Sequence, residues 1–127
     1  MAEGRTLYEA IGGEAPFHAL VEAFYRGVEQ DPELRPMYPP DLEESRAHLA
    51  LFLIQYFGGP QTYMETRGHP RLRMRHMPFV IGRAERDAWF RHMSAAVDEV
   101  GIEEPYREHM LRYFSDAATF LINRQPA

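Results

Sequence analysis

His76 is the histidine whose neighbours point most directly to a chemical role. It follows an alternating arginine run, Arg71 to Arg75, and it precedes the apolar stretch from Met77 to Phe79. In such a setting an imidazole can ligate haem iron, while apolar neighbours cover the porphyrin and an arginine pairs with a propionate carboxylate. A solvated basic turn beside an incidental histidine would show the same residues, so the segment by itself leaves both interpretations open.

Tyr25, Tyr38 and Trp89 form a second group of candidates. Each side chain has an apolar body and a polar tip that needs a hydrogen-bond partner when it is buried. Tyr25 lies near the apolar face of a predicted helix, Tyr38 in a proline-rich corner, and Trp89 on the inner face of another predicted helix. Any one of them alone would be an ordinary core aromatic. Three donors that converge on one pocket would stabilise the negative charge that develops on iron-bound dioxygen.

Composition excludes several other kinds of site. The chain has no cysteine, which excludes disulfides, cysteine zinc clusters, iron–sulfur clusters and a thiol nucleophile. All 14 basic residues are arginine, so neither a Schiff base nor a lysine-dependent phosphate loop is available. The six histidines lack the helical spacing of zinc ligands. A di-iron bundle needs Glu three residues before His, whereas Glu14 and Glu44 precede His18 and His48 by four.

Length and charge limit the architecture and the partners. With 127 residues, 45% of them hydrophobic and 26% charged, residues 1–127 are expected to form a single domain. The net charge of −5 argues against nucleic-acid binding. No run of about 18 apolar residues is present to span a membrane, and the stretch from Met1 to Arg5 does not begin a signal peptide. We therefore expect a cytoplasmic protein.

The spacing of apolar residues predicts four substantial helices that would position these candidates. A capping box from Thr6 to Glu9 begins a short first helix, which the pair Gly12-Gly13 ends. The four long helices are expected from about Pro16 to Asp31, from Asp41 to Gly58, from Arg83 to Val100 and from Pro105 to Asn123.

The region from Gln61 to Pro78 is harder to interpret. Glycine and proline interrupt it, and the alternation from Arg71 to Arg75 has the pattern of a short strand. No second strand is predicted that could pair with it. The pattern alone therefore does not decide the structure of this region.

Several of these motifs together resemble the truncated haemoglobins. They are, in chain order, the two Gly-Gly pairs, Phe24-Tyr25, Tyr56-Phe57-Gly58-Gly59-Pro60, the run from Arg67 to His76, and Glu85-Arg86-Asp87-Ala88-Trp89. The long run Arg-Gly-His-Pro-Arg-Leu-Arg-Met-Arg-His and Trp89 make the chain similar to the bacterial group II class in particular. The resemblance extends from about Leu7 to Leu121.

This resemblance implies an all-α truncated globin, in which two helices pack over two around a haem b. It makes His76, on a short helix after an extended loop, the proximal iron ligand. It also matches Tyr25, Tyr38 and Trp89 to the polar distal positions. Ser45 occupies the position at which larger globins have a distal histidine, and its small side chain leaves that entrance open.

The resemblance further implies which residues hold the haem. Arg75 is the first candidate for pairing with a propionate, and Tyr63, His69 and His48 come after it. The residues expected along the haem wall are Leu42, Leu49, Phe52, Leu53, Leu72, Met77, Phe79 and Ile81.

The implied function is the binding of dioxygen and other diatomic ligands, with slow oxygen release because several donors hold the ligand. Slow release also suits a redox enzyme, either a nitric oxide dioxygenase or a peroxidase, which would need an external reductase. The third alternative is a helical interaction domain without haem, which would be colourless. Whether the chain forms a homodimer is left open.

Overall fold

The computed structural model describes residues 5–123, in which every regular element is a helix. The α-helices are α1 (Leu7–Ala10), α2 (Glu14–Glu29), α3 (Glu43–Tyr56), α4 (Thr62–Arg67), α5 (Leu72–His76), α6 (Arg83–Val100) and α7 (Tyr106–Phe120). None of these helices combines the length and apolarity needed to cross a bilayer. Residues 1–4, where we expect no signal peptide, lie outside the described range, as do residues 124–127.

The N-terminal helices form where the sequence predicts them. Thr6 Oγ1 accepts a hydrogen bond from the Glu9 N–H at 3.1 Å, and the Glu9 carboxylate accepts one from the Thr6 N–H at 3.0 Å. This capping box satisfies two backbone donors at the start of α1. In α2, the fully buried side chains recur at helical spacing and face the core; they include Phe17, Leu20, Phe24 and Val28.

The proline corner that holds Tyr38 is ordered by Arg35. A 3-10 turn spans Arg35–Met37. The Arg35 guanidinium then donates hydrogen bonds to the carbonyl oxygens of Tyr38 at 3.4 Å, Pro39 at 3.0 Å and Pro40 at 2.8 Å. Because consecutive prolines have no backbone N–H, a side chain is needed to supply donors to such a corner. The position of Tyr38 is therefore fixed by local hydrogen bonds.

The four long helices pack as the two-over-two arrangement that the resemblance implies. Helix α2 lies against both α3 and α6, and α6 lies against α7. Their shared core contains the large, almost fully buried side chains Phe17, Phe24, Leu53, Met93 and Phe114. Burying one such side chain contributes about 1.5–3 kcal/mol, so this packing supplies much of the stability of the fold.

A hydrogen bond to a buried carboxylate connects the end of α2 to the middle of α6. Asp31 is only 7% exposed, and its carboxylate accepts a hydrogen bond from His92 Nε2 at 2.6 Å. That hydrogen bond lowers the pKa of Asp31 below its ordinary value. The two helices approach closely here: a methyl group added at Gly27 would lie only 2.5 Å from His92 Nδ1. The pair helps set the position of α6, which also holds Trp89 one turn earlier.

The region that the sequence pattern did not decide contains two short helices. Helix α4 was not predicted, and α5 replaces the strand-like pattern from Arg71 to Arg75. The strand interpretation is therefore wrong, and the short helix implied by the resemblance is correct. Five residues make fewer than two helical turns, too few for the alternation to separate a strand period from a helical one.

Candidate functional site

A cavity of about 400 Å³ lies between the helices. Its volume is within the range of about 300–1,000 Å³ that is typical of small-molecule sites, which are mostly apolar with a few placed polar groups. Every helix from α2 to α7 contributes to its wall, and so does the proline corner. The residues predicted for the site that line this cavity are Tyr25, Tyr38, Ser45, His48, Leu49, Phe52, Leu53, Tyr63, Leu72, Arg75, His76, Phe79, Ile81 and Trp89.

Three predicted residues lie outside that lining. Leu42 is buried in the core before α3, with 5% of its surface exposed. His69 lies in the loop between α4 and α5, where its Nδ1 accepts a hydrogen bond from the Arg71 N–H at 3.1 Å. Met77 follows α5 and is 67% exposed. In this conformation of the chain these three side chains do not face the cavity.

His76 is oriented by its own helix. Its Nδ1 lies 2.7 Å from the Leu72 carbonyl oxygen, one turn earlier in α5. A carbonyl oxygen can only accept, so Nδ1 has the proton, and in the neutral imidazole Nε2 then has the lone pair. An imidazole held in this way, on the wall of an apolar cavity, has the geometry of a metal ligand whose other nitrogen is fixed by a backbone carbonyl.

The segment after His76 is fastened to the end of α7 by Asn123. The Asn123 amide donates hydrogen bonds to the His76 carbonyl oxygen at 3.2 Å and to the Phe79 carbonyl oxygen at 2.8 Å. Its own side-chain oxygen accepts a hydrogen bond from the Ile81 N–H at 2.9 Å. Asn123 was predicted only as the end of the last helix, because a single asparagine at a helix end has no pattern that indicates such contacts.

Tyr25, Tyr38 and Trp89 converge on the cavity. The rings of Tyr25 and Tyr38 meet edge to face at 5.7 Å. Phe24 lies between Tyr25 and Trp89, at 5.0 Å from the first ring and 5.4 Å from the second. The sequence could place each of these residues on an inner helix face or in a corner, but only the fold brings the three side chains to one cavity.

Burial keeps both tyrosines protonated. It raises the pKa of Tyr38 to about 12, against an opposing hydrogen-bonding contact with the Trp89 indole. Burial also raises the pKa of Tyr25, and the neighbouring Tyr38 raises it further. At neutral pH both hydroxyl groups therefore retain their protons and can donate to a ligand in the cavity.

The basic edge of the cavity is organised around Arg67. Its Nη1 donates a hydrogen bond to His48 Nε2 at 3.0 Å. Its Nε is buried and has no hydrogen-bond partner among residues 5–123. Burial of His48, followed by the positive charge of Arg67, lowers the pKa of that histidine. A buried arginine N–H without a partner is unusual, and it marks a place where an acidic group could bind.

Arg75, unlike Arg67, donates its hydrogen bonds to backbone carbonyl oxygens. Its Nε donates to the Pro70 carbonyl oxygen at 2.7 Å, and its Nη2 donates to the carbonyl oxygens of Arg67 at 3.2 Å and His69 at 3.5 Å. The guanidinium thus closes the loop between α4 and α5. Arg67 was not predicted for the site, but among the arginines that line the cavity it is the one whose Nε is buried without a hydrogen-bond partner among residues 5–123.

The cavity lining also includes residues that were not predicted for the site. Among them are Phe24, Leu34, Arg86, Tyr113, Phe114, Ala118 and Leu121. The apolar periodicity of α2 and α7 could have identified most of them as inward-facing. It could not separate residues that face the cavity from residues that face another helix.

The residues present fit a haem. The cavity offers an apolar wall, a histidine whose Nε2 has a free lone pair, and a buried arginine N–H suited to a carboxylate. Three neutral donors lie on its wall as well. This combination matches the requirements of an iron porphyrin that has acidic propionate groups.

Comparison with known proteins gives consistent matches along the chain. The family model described as bacterial-like globin matches residues 6–123. Group 2 truncated hemoglobin YjbI of Bacillus subtilis is 42% identical over 120 residues, which cover 94% of this chain and 90% of that protein.

Solved structures of hemoglobins also match this chain along most of its length. The hemoglobin of the thermophilic phototroph Chloroflexus aurantiacus is 59% identical, with a TM-score of 0.92 over 94% of this chain and 98% of that one. The truncated oxygen-avid haemoglobin of Bacillus subtilis is 42% identical, with a TM-score of 0.90 over 94% of this chain and 100% of that one.

Proposed function

The chain belongs to the bacterial-like globins, as a group II truncated haemoglobin, and from that premise we propose that it uses a haem b, held by His76, to bind dioxygen and other diatomic ligands. When bound, the haem iron supplies reversible binding of such ligands and one-electron chemistry. The observation that supports the proposal most directly is His76 on the cavity wall, with Nδ1 hydrogen-bonded to the Leu72 carbonyl oxygen at 2.7 Å. This hydrogen bond fixes the ring and makes Nε2 a better ligand.

Tyr25, Tyr38 and Trp89 are the proposed donors to the bound ligand. All three side chains line the cavity, and burial raises the pKa of both phenols, so both hydroxyl groups are protonated at neutral pH. A hydrogen bond to a charged acceptor contributes about 1.5–3 kcal/mol, so several such donors would make oxygen release slow. The likeness to a structure described as oxygen-avid supports this proposal. Ser45 adds a small hydroxyl side chain to the same wall.

Arg67 is the residue that we propose for a propionate. Its buried Nε has no partner among the described residues, whereas the Arg75 guanidinium is held by backbone carbonyl oxygens. His48, hydrogen-bonded to Arg67, and Tyr63 lie on the same edge and could support that contact. Arg75 would then act indirectly, by shaping the loop that presents His76.

A redox enzyme is the second candidate function. The observation that favours it is Tyr113 in the cavity wall, whose ring stacks on the exposed ring of Tyr56. A nitric oxide dioxygenase or a peroxidase would both need electrons from outside, so we propose an external reductase as a partner. The place of action would be the cytoplasm, and a homodimer would be compatible with either function.

The experiment that tests the proposal is an absorption spectrum of the purified protein. Ferric, dithionite-reduced and carbon monoxide-bound samples are expected to give a Soret band that shifts at each step. His76→Gly should lose the histidine-ligated ferrous spectrum, and added imidazole should restore it. His109→Gly, which removes an exposed histidine of α7 outside the cavity, is the matched control. A protein without a Soret band after haem is added would contradict the proposal.

A further inference from the structure

Tyr113 and Tyr56 connect the cavity to the surface of the molecule. Tyr113 lies on α7 and lines the cavity, while Tyr56 ends α3 and is 51% exposed. Their ring centroids are 3.9 Å apart, and their planes differ by 26°. This separation places the two faces at van der Waals contact. One stacked pair therefore extends from the cavity wall to solvent.

Among residues 5–123, no other tyrosine stacks on a second tyrosine so that one ring lines the cavity and the other is exposed. Tyr25, Tyr38 and Tyr63 line the cavity, but none of them is exposed. Tyr8 and Tyr106 lie outside the cavity lining and are only partly exposed. The stacked pair is thus distinguished from the remaining phenols by position as well as by contact.

We propose that the pair of Tyr113 and Tyr56 conducts electrons from the surface to the haem pocket when a hydroperoxide is reduced there, so that Tyr56 is the site at which the protein surface is oxidised. This inference rests on the proposed haem. It assigns a role to two residues that dioxygen binding does not use. The reductants are phenols too large to enter the cavity. When no such phenol is present, Tyr56 itself is oxidised.

The electrons balance with hydrogen peroxide as the oxidant. One peroxide takes up two electrons and two protons, its O–O bond breaks, and two water molecules form. Two phenols each lose one electron and the hydroxyl proton, which gives two phenoxyl radicals. With no external phenol, the Tyr56 radicals of two molecules can form a carbon–carbon bond between their rings. The product is a dityrosine cross-link, formed without loss of atoms after the rings regain aromaticity.

The surroundings of the two rings favour Tyr56 as the residue on which the radical is finally located. Tyr113 is partly buried, and burial together with the neighbouring Tyr56 raises the pKa of its phenol. A phenol that must lose its proton on oxidation needs an acceptor for it. Water reaches Tyr56, which is 51% exposed. Tyr113 therefore relays the electron, and the radical settles on Tyr56, which releases its proton to solvent.

The test uses the haem-loaded protein and one equivalent of hydrogen peroxide. Samples frozen at short times are examined by electron paramagnetic resonance, and longer reactions are digested and analysed by mass spectrometry for dityrosine. The wild type is expected to show a tyrosyl radical and a cross-link at Tyr56. Tyr56→Phe should lose the cross-link, and Tyr113→Phe, which keeps the stacking ring, should lose the Tyr56 radical. Tyr56→Trp should replace the signal by that of a tryptophan radical.

Tyr106→Phe is the matched control, because it removes a phenol from α7 outside the cavity lining. It should retain both the radical and the cross-link. The Soret band and carbon monoxide binding of every variant are recorded first, and their absence in the wild type would count against the haem proposal itself. With haem intact, either no tyrosyl radical in the wild type or an unchanged one in Tyr113→Phe would overturn the inference.

Discussion

At the scale of single residues, the cavity lining offers two kinds of polar group. Tyr25 and Tyr38 present neutral phenols whose pKa values are raised by burial. Arg67, in contrast, is a fixed cation with a buried N–H that has no hydrogen-bond partner among the described residues. Neutral donors suit a ligand that gains partial charge, whereas a cation suits a permanent carboxylate. In the proposed function, the phenols therefore serve ligand binding and Arg67 serves cofactor anchoring.

Trp89→Phe tests the ligand side. The variant removes the indole N–H but keeps an aromatic ring for packing against Phe24 and Phe114. Loss of a hydrogen bond to a charged acceptor removes about 1.5–3 kcal/mol. Dioxygen should therefore dissociate roughly ten- to a hundredfold faster, since about 1.4 kcal/mol is tenfold. Stopped-flow displacement by carbon monoxide measures this rate, and an unchanged rate would show that Trp89 does not hold the ligand.

Arg67→Met tests the anchoring side. Methionine keeps the apolar stem but removes the guanidinium, so the propionate loses a charge-assisted hydrogen bond. Haem should transfer to an excess of apomyoglobin roughly tenfold faster than from the wild type. Arg83→Met, at the exposed start of α6 and outside the cavity, should transfer haem at the wild-type rate. Equal rates for the two variants would remove Arg67 from the proposed site.

At the scale of elements, the sequence pattern predicted the long helices and the short α1, but it did not predict α4 and did not identify α5 as a helix. Helix α6 begins and ends at the predicted residues, because a glycine precedes it, Gly101 ends it, and several turns of apolar spacing lie between. Helices α4 and α5 have six and five residues. Periodicity needs about 11–18 residues to be decisive, so their conformation depends on tertiary contacts such as those of Asn123.

The candidate site shows the same division between local and long-range information. The sequence identified His76 and the three distal donors as chemically suitable residues. The pairing of Arg67 with His48 joins α3 to α4 across 19 positions of the chain. The stack of Tyr56 on Tyr113 joins α3 to α7 across an even longer separation. No local pattern encodes such contacts, because they arise only when the helices pack.

The contact between α3 and α4 predicts a pH dependence of stability. Burial of His48 and the charge of Arg67 lower its pKa, with Arg75 adding to the shift and Glu44 opposing it. The unfolded chain, with an ordinary histidine pKa of about 6.5, then binds the proton more readily than the folded chain. The free energy of unfolding should therefore fall as the pH drops below about 6.5 and stop falling, for this group, once the pH is below the folded pKa.

Urea unfolding of the haem-free protein at pH 7 and pH 5 measures this loss. His48→Gln keeps an acceptor for Arg67 but cannot take up a proton, so it should lose less stability between the two pH values. His109→Gln, exposed on α7, should behave as the wild type. Asp31 does not interfere, because a carboxylate with a lowered pKa loses its stabilising effect only below about pH 3.9. Equal pH dependence of both variants and the wild type would contradict the role given to His48.

At the scale of the whole molecule, the chain divides into a well-packed part and a less well-packed segment, residues 61–82. The core of α2, α3, α6 and α7 is a continuous cluster of buried side chains. Residues 61–82 contribute Tyr63 and Ile81 to the buried apolar set, but neither belongs to that cluster. Many apolar residues of this segment are exposed, namely Met64, Met74, Met77, Phe79 and Val80. The segment therefore has few buried apolar contacts to hold it in place.

Haem removal should consequently loosen one region rather than the entire fold. A ligand that binds only the folded chain stabilises it by mass action, and here the ligand would bridge His76 and Arg67 to the core helices. Amide hydrogen exchange followed by mass spectrometry should show faster exchange in residues 61–82 of the haem-free protein, while α2 and α6 stay protected. Local opening is expected wherever buried apolar contacts are sparse. Asn123→Ala removes the hydrogen bonds to His76 and Phe79. In this variant, the increase in exchange on haem removal should be larger in residues 61–82 and unchanged elsewhere. A uniform loss of protection over all helices would instead show that the haem supports the core itself, and that α4 and α5 are no less stable than the long helices.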